Sequence, residues 1–274
     1  VDVKGGDLLG RDTGDINPDV DTYKHKSRGV VRFDARSETE LGTLKSYIAT
    51  QFDVDDGADG VSLPHGYIEL GGFRIGVTDS VFGSWTGGGV VLNDDLIDYD
   101  GDKTNQANYT FSGGNGFSAI IGLEQGDKTH LIDDYMPHVV AGVKFKQAWG
   151  AISAVGGYDV VVEEFAGKLR LDVNFTDTVS GFIMGGYQSD DKRNNYYGAW
   201  TGDYAIWGGL SAKVSEKATI NGQLAYDEAE IFAAGLNVSY EVVPNFFVTP
   251  EVDYKDIKDA DDAFGAQIRF QRNF

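Results

Sequence analysis

The chain has 274 residues, no cysteine, 37 glycines, 5 prolines, 2 methionines and a formal charge of −20. Without cysteine it has no disulfide or thiolate metal site, and so acidic a surface does not suit nucleic-acid phosphates. No run approaches the roughly 18 apolar residues of a membrane helix, and a mean hydropathy of −0.27 is unlike a soluble core of this length but compatible with a membrane β-barrel, where only alternate strand residues face lipid.

The sequence opens VDVKGG in mid-alternation, with no initiator methionine and no charged-then-apolar leader; a removed signal peptide and a first strand cut short are the expectation. After a long polar link (Leu9 to Lys26), Val31, Phe33 and Ala35 alternate with Arg32, Asp34 and Arg36, a strand with one apolar and one ionic face. A tight turn at Glu40-Leu41-Gly42 leads to a second strand, with Leu44, Ile48 and Phe52 on one face and Lys45, Tyr47 and Gln51 on the other. A long link is expected from Asp53 to Pro64, then a tight turn at Gly71-Gly72 and a strand in which Phe73, Ile75 and Val77 flank Arg74. The connection Val77 to Lys103 is next and is far longer than an ordinary link. It holds Asp79, Asp94, Asp95, Asp98 and Asp100, and no basic residue before Lys103.

Further on, Phe117 to Leu123, Val139 to Phe145, Phe165 to Phe175, Ala218 to Tyr226, Phe232 to Val242, Phe246 to Tyr254 and Phe264 to Phe274 alternate with the same period, while Ala151 to Tyr158 is ambiguous in phase. Short links at Ser112 to Gly116, Gln147, Thr176-Asp177, Ser215-Glu216 and Val243-Pro244-Asn245 interleave with longer ones at Gln125 to Met136, Ser189 to Asp203 and Lys255 to Asp262. Two links on the long end, near Asp159 and Asp227, are short exceptions. Alternation alone suits a soluble sandwich equally well. Sorting of turns to one rim and loops to the other, with about sixteen strands, points instead to an all-β, transmembrane antiparallel barrel around an aqueous channel.

The closing strand ends on Phe274, which looks like the signal read by outer-membrane assembly machinery. The stretches RGVVRFDARSETELGTLKSYIATQF, YIELGGFRIGVTDSVF, YTFSGGNGFSAIIGLEQG, YMPHVVAGVKF, AWGAISAVGGYDVVVEEFAGKLRLDVN and VPNFFVTPEVDY, with the final IRFQRNF, resemble the general porins of the Rhizobiales, the Omp2 type of α-proteobacteria. The similarity runs in order through nearly the whole chain. It implies a single barrel over residues 1–274, sixteen strands, assembly as a homotrimer in the outer membrane, and a third loop, here residues 78–103, folded into the pore. Members of that family begin further upstream, with the first half of strand one and a leader that often holds a cysteine pair, both missing from this sequence. That departure bears on how the first and last strands meet.

The expected pore constriction is a basic wall of Arg28, Arg32, Arg36, Lys45 and Arg74 facing an acidic loop with Asp79, Asp94, Asp95 and Asp98. A transverse field across a narrow pore orients dipolar solutes and penalises apolar ones; the bland reading is solvated lumen charge away from the narrowest point. Lys144, Lys146, Lys168 and Arg170 also point inward by parity, either to balance charge or to touch ions. The runs DVDDGADG (Asp53 to Gly60) and DYDGD (Asp98 to Asp102) look like calcium loops, but the twelfth position from Asp53 is Pro64, not the needed Glu, so no metal site is expected. His25, His65, His130 and His138 have no metal-ligand spacing, and GGNG at Gly113 to Gly116 precedes a strand and is a hairpin turn. Tyr226, Tyr240, Phe246, Phe270 and Phe274 fit interfacial aromatic girdles.

The sequence therefore leads to a non-enzymatic, cofactor-free channel for passive diffusion of ions and small hydrophilic solutes, weakly cation-preferring, in contact with outer-membrane lipid and lipopolysaccharide. Two rivals remain: a sugar or oligosaccharide channel with an aromatic slide drawn from Tyr47, Trp85 and Trp207, and a structural or adhesive barrel with a plugged pore.

Overall fold

A computed structural model describes residues 1–10, 22–99, 101–190, 194–259 and 261–274. The first strands are β1 (Asp2–Gly5), β2 (Tyr23–Thr39), β3 (Gly42–Asp55), β4 (Ala58–Leu70) and β5 (Phe73–Asp79), followed by a short helix α1 (Val81–Thr86). Next come β6 (Lys103–Ser112), β7 (Phe117–Glu124), β8 (His138–Gln147), β9 (Gly150–Asp159), β10 (Glu164–Asn174) and β11 (Val179–Gln188). The last five are β12 (Tyr204–Lys213), β13 (Ala218–Asp227), β14 (Ile231–Val243), β15 (Phe246–Ile257) and β16 (Ala263–Arg272).

Neighbours in sequence pair antiparallel, and the sheet closes because β1 pairs with β16 on one edge and β2 on the other. At that seam Arg269 donates twice to Asp2, at 2.8 and 3.1 Å. Val1 and Phe270 exchange main-chain hydrogen bonds of 2.7 and 2.8 Å. Although β1 has only 4 residues, the first and last strands meet through it, and the closed barrel leaves no free sheet edge between them there.

The two faces of the wall are inverted relative to a soluble protein. On β10, Phe165, Leu169 and Leu171 are 51%, 59% and 37% exposed, whereas Lys168 and Arg170 between them are 3% and 7% exposed. Ile183 on β11, Leu210 on β12, Leu224 on β13 and Leu236 on β14 continue the exposed apolar band. A closed barrel with such a band satisfies every ladder hydrogen bond internally, as a bilayer requires. No helix among the described residues is long and apolar enough to cross a membrane.

One rim carries only short turns, whereas the other carries the long loops together with short links between β3 and β4, β9 and β10, and β13 and β14. Gly71 and Gly72 link β4 to β5 with φ of 57° and 91°, the mirror-image turn whose twist suits a hairpin. The link expected from Asp53 to Pro64 is different. Asp56 and Gly57, at φ 53° and 88°, make another such turn, and β3 and β4 extend up to it. The polar composition of that stretch therefore reports a tall exposed hairpin, with Asp-Gly as its turn signal, and not an irregular loop.

Candidate functional site

The loop between β5 and β6 starts at Ser80, whose hydroxyl accepts from the Phe82 amide (3.1 Å) and caps α1. The same hydroxyl donates to Glu124 on β7 (2.8 Å), and the Val81 amide donates to the other oxygen of that carboxylate (2.7 Å). One buried glutamate thus fixes where the loop leaves the wall, and it satisfies a helix-start amide that has no partner within the helix.

Beyond α1 the loop has no ladder of its own, and wall side chains bond its main chain instead. Arg170 donates to the Gly88 carbonyl (2.7 Å), Lys168 to Tyr99 (2.5 Å), the Trp207 indole to Ile97 (2.8 Å) and Lys255 to Leu96 (2.7 Å). Gln223 works both ways: its amide nitrogen donates to the Asp94 carbonyl and its oxygen accepts from Val90, each at 2.9 Å. Glu251 accepts from the Leu92 and Asn93 amides (2.5 and 2.8 Å). Asn237 and Gln267 also donate to it, both at 2.7 Å. These side chains share the face opposite the exposed apolar band.

Apolar packing reinforces the docking. Val81, Phe82, Ile97 and Tyr99 of the loop are buried with Val140, Val155, Phe182 and Trp207 of the wall. The link between β11 and β12 adds Tyr196, Tyr197 and Trp200 to the same cluster, and Gly157 leaves room for the Tyr197 ring, which lies 2.4 Å from where a Cβ would stand. Burial, followed by the charge of Glu124, pushes the hydroxyl pKa of both tyrosines far above the ordinary value, so both stay protonated. His138 stacks on Tyr196 (ring centroids 4.9 Å apart), and Asp159 accepts from the Tyr196 amide (2.8 Å).

The basic residues of β2 to β5 lie elsewhere, on strands that the loop's main-chain hydrogen bonds to side chains do not reach among the described residues. Arg28 pairs with Asp53 (2.6 Å), Arg36 with both oxygens of Asp34 (2.8 and 3.0 Å), and Arg74 with Glu69 (2.8 Å). Lys45 lies 3.3 Å from the Tyr67 hydroxyl and 3.8 Å from Asp34. Arg32 is exposed and makes no ion pair among the described residues. Of the predicted acids, Asp79 ends β5 and meets Lys103 at 3.4 Å. Asp94 turns into its own loop, accepting from the Gly89 amide (2.7 Å) and the Tyr99 hydroxyl. Asp79, Asp95 and Asp98 line one polar chamber of about 460 Å³ with Asp102, Asp127 and Asn195. Asp100 lies outside the described residues.

The family model described as the porin subfamily matches residues 1–273. The chain belongs to that family. Porin Omp2a of Brucella melitensis biotype 1 is 42% identical over 100% of this chain and 82% of the relative, and porin Omp2b of Brucella suis biovar 1 is 41% identical over the same shares. The outer membrane channel DcaP of Acinetobacter baumannii has the same fold, with TM-score 0.72 at 16% identity over 98% of this chain and 94% of that one. An anion-selective porin from Comamonas acidovorans has TM-score 0.66 at 16% identity over 100% and 96%.

The protein is thus a general porin of the bacterial outer membrane, a channel built on a sixteen-stranded barrel. Several residues that position this porin's loop carry no distinctive signal in the sequence. Glu124, Gln223 and Glu251 read only as inward polar positions of ordinary strands, and parity was their sole signal. Lys168 and Arg170, inward by parity, hold loop carbonyls. Trp207 is 1% exposed against the loop, so it offers no ring surface to a passing solute.

Proposed function

We propose that residues 78–103 narrow the pore, and that solutes pass between this loop and the β2 to β5 wall. The supporting observation is the one-sidedness of the docking. The loop bonds to side chains of β7, β10, β12, β13 and β15, while Arg32, Arg36, Lys45 and Arg74 stand on the remaining wall with partly exposed side chains. A loop that reaches so many strands of a closed barrel lies along its concave side. Exposed Asp95, on a different element from the wall cations, supplies the opposite sign for a transverse field.

The channel works by passive diffusion of ions and small hydrophilic solutes, with a weak cation preference because the charge of −20 is opposed by the basic wall. Assembly as a homotrimer, with lipid and lipopolysaccharide around it, fits the tall β3–β4 hairpin. Phe52, Val54, Val61 and Leu63 leave its outer face apolar and exposed, and a neighbouring subunit would cover them.

The test is single-channel conductance in a planar bilayer, with reversal potential under a salt gradient, on wild type and Arg32→Ala/Arg74→Ala. Large ohmic steps in triplets, with the double variant shifted toward cations, are expected. Triplets without a shift move the constriction away from these residues, and no current from folded trimers would sink the diffusion reading.

A further inference from the structure

Tyr47 on β3 and Tyr67 on β4 are register partners, with ring centroids 5.2 Å apart and planes tilted by 31°. Both are half-buried, and they face away from exposed Ile48 and Ile68. The Lys45 ammonium sits 5.1 Å from the Tyr47 centroid and 5.4 Å from that of Tyr67, and the Arg74 guanidinium lies 4.8 Å from the Tyr67 centroid. Arg74 directs Nε and Nη2 to one oxygen of Glu69 (2.9 and 2.8 Å). Asp34, the register partner of Tyr47, is held by Arg36 at both oxygens. Arg32 is different: it lies opposite Ala49, diagonal to Tyr47, exposed and with no ion pair among the described residues.

Two rings, an ammonium and an unpaired guanidinium fork on neighbouring strands make a mixed surface. The tyrosine faces match the C–H face of a pyranose, and a free guanidinium binds carboxylate or phosphate through two parallel hydrogen bonds. Locally Arg32, Arg36, Lys45 and Arg74 outnumber Asp34 and Glu69, so an amine meets net like charge. A neutral sugar leaves the fork empty, and a small inorganic anion makes no use of the rings. We propose that Tyr47, Tyr67, Lys45 and Arg32 form a subsite for anionic sugars, that is, pyranoses carrying a carboxylate or phosphate. This rests on the reading of the β2 to β5 wall as the pore wall.

The probe is glucuronate, titrated against open single-channel current beside glucose and glucosamine, on wild type, Tyr47→Leu, Tyr47→Phe and Arg32→Lys. Glucuronate is expected to interrupt the wild-type current saturably, and glucose and glucosamine are not. Arg32→Lys keeps the charge and loses the fork, and Tyr47→Leu loses the ring; each should weaken glucuronate by about tenfold, while Tyr47→Phe retains it. Glucuronate acting no better than glucose, or acting undiminished in both Arg32→Lys and Tyr47→Leu, overturns the subsite and leaves the channel standing. Folded protein with no open current overturns both.

Discussion

Glu251 ties the loop to the wall, because two loop amides and two side-chain amides of the neighbouring strands β14 and β16 converge on its two oxygens. Glu251→Ala leaves all four donors without an acceptor in a buried place, a loss of about 3 kcal/mol. The expected result is about a hundredfold less hydrogen-exchange protection at the Leu92 and Asn93 amides and a noisier open channel, with the barrel itself intact. Glu251→Gln keeps one acceptor oxygen and should fall between. Unchanged protection in Glu251→Ala would mean that packing alone holds the loop.

Asp127, on the link between β8 and its predecessor, gives a pH prediction. Burial alone would raise its pKa, but the Thr129 hydroxyl and the amides of His130 and Thr129 outweigh burial and hold the carboxyl below 3.8. A depressed folded pKa means that the stabilisation is complete above 3.8 and fades as pH falls through the lower folded value. Amide exchange at Thr129 and His130, corrected for the intrinsic rate, should therefore lose protection in strong acid. Asp127→Asn should show lower protection with no such dependence.

At the scale of elements, two turns make an internal control. Gly57 and Gly72 have nearly the same φ, 88° and 91°, but a Cβ on Gly57 would meet nothing within 4 Å, whereas one on Gly72 would stand 2.6 Å from the Thr110 carbonyl oxygen. Gly57→Ala should carry only the left-handed penalty of about 1 kcal/mol. Gly72→Ala adds about 1–3 kcal/mol of steric displacement. The half-life of the folded barrel at a fixed high temperature, a measure of kinetic stability, should drop far more for Gly72→Ala.

Strand legibility follows from what covers each inner face. β10 was plain because Lys168, Arg170 and Asp172 alternate with apolar residues. β9 is ambiguous because its inner face carries Val155, buried in the same cluster as Phe82, and Gly157, which the Tyr197 ring approaches closely. Docking of a loop thus erases the alternation that marks a water-facing wall. The partners of the docked loop were illegible for a related reason: Glu251 is 159 residues from Leu92, and no local pattern encodes that contact. The β3–β4 hairpin is illegible in composition because strand pairing continues up to the Asp56-Gly57 turn through polar residues that composition assigns to loops.

For the whole molecule, charge acts at two distances, and salt separates them. The formal −20 is spread over the chain, whereas the Arg32, Arg36, Lys45 and Arg74 cluster stands on neighbouring strands of the β2 to β5 wall. Screening lengths are about 10 Å at 0.1 M and about 3 Å at 1 M, so distant acids reach a permeating ion only in dilute salt, while cations that line the path, the role proposed for the β2 to β5 wall, act in both. Reversal potentials taken with one fixed concentration ratio should therefore show cation preference around 0.1 M that shrinks toward neutrality, or turns anionic, around 1 M. Arg32→Ala/Arg74→Ala should keep a cation preference at both. If the wild-type preference instead persists undiminished at high salt, the carboxylates that set it lie within a few ångströms of the ion path. Asp95 at the chamber would then outweigh the basic wall, and Asp95→Asn should remove the preference.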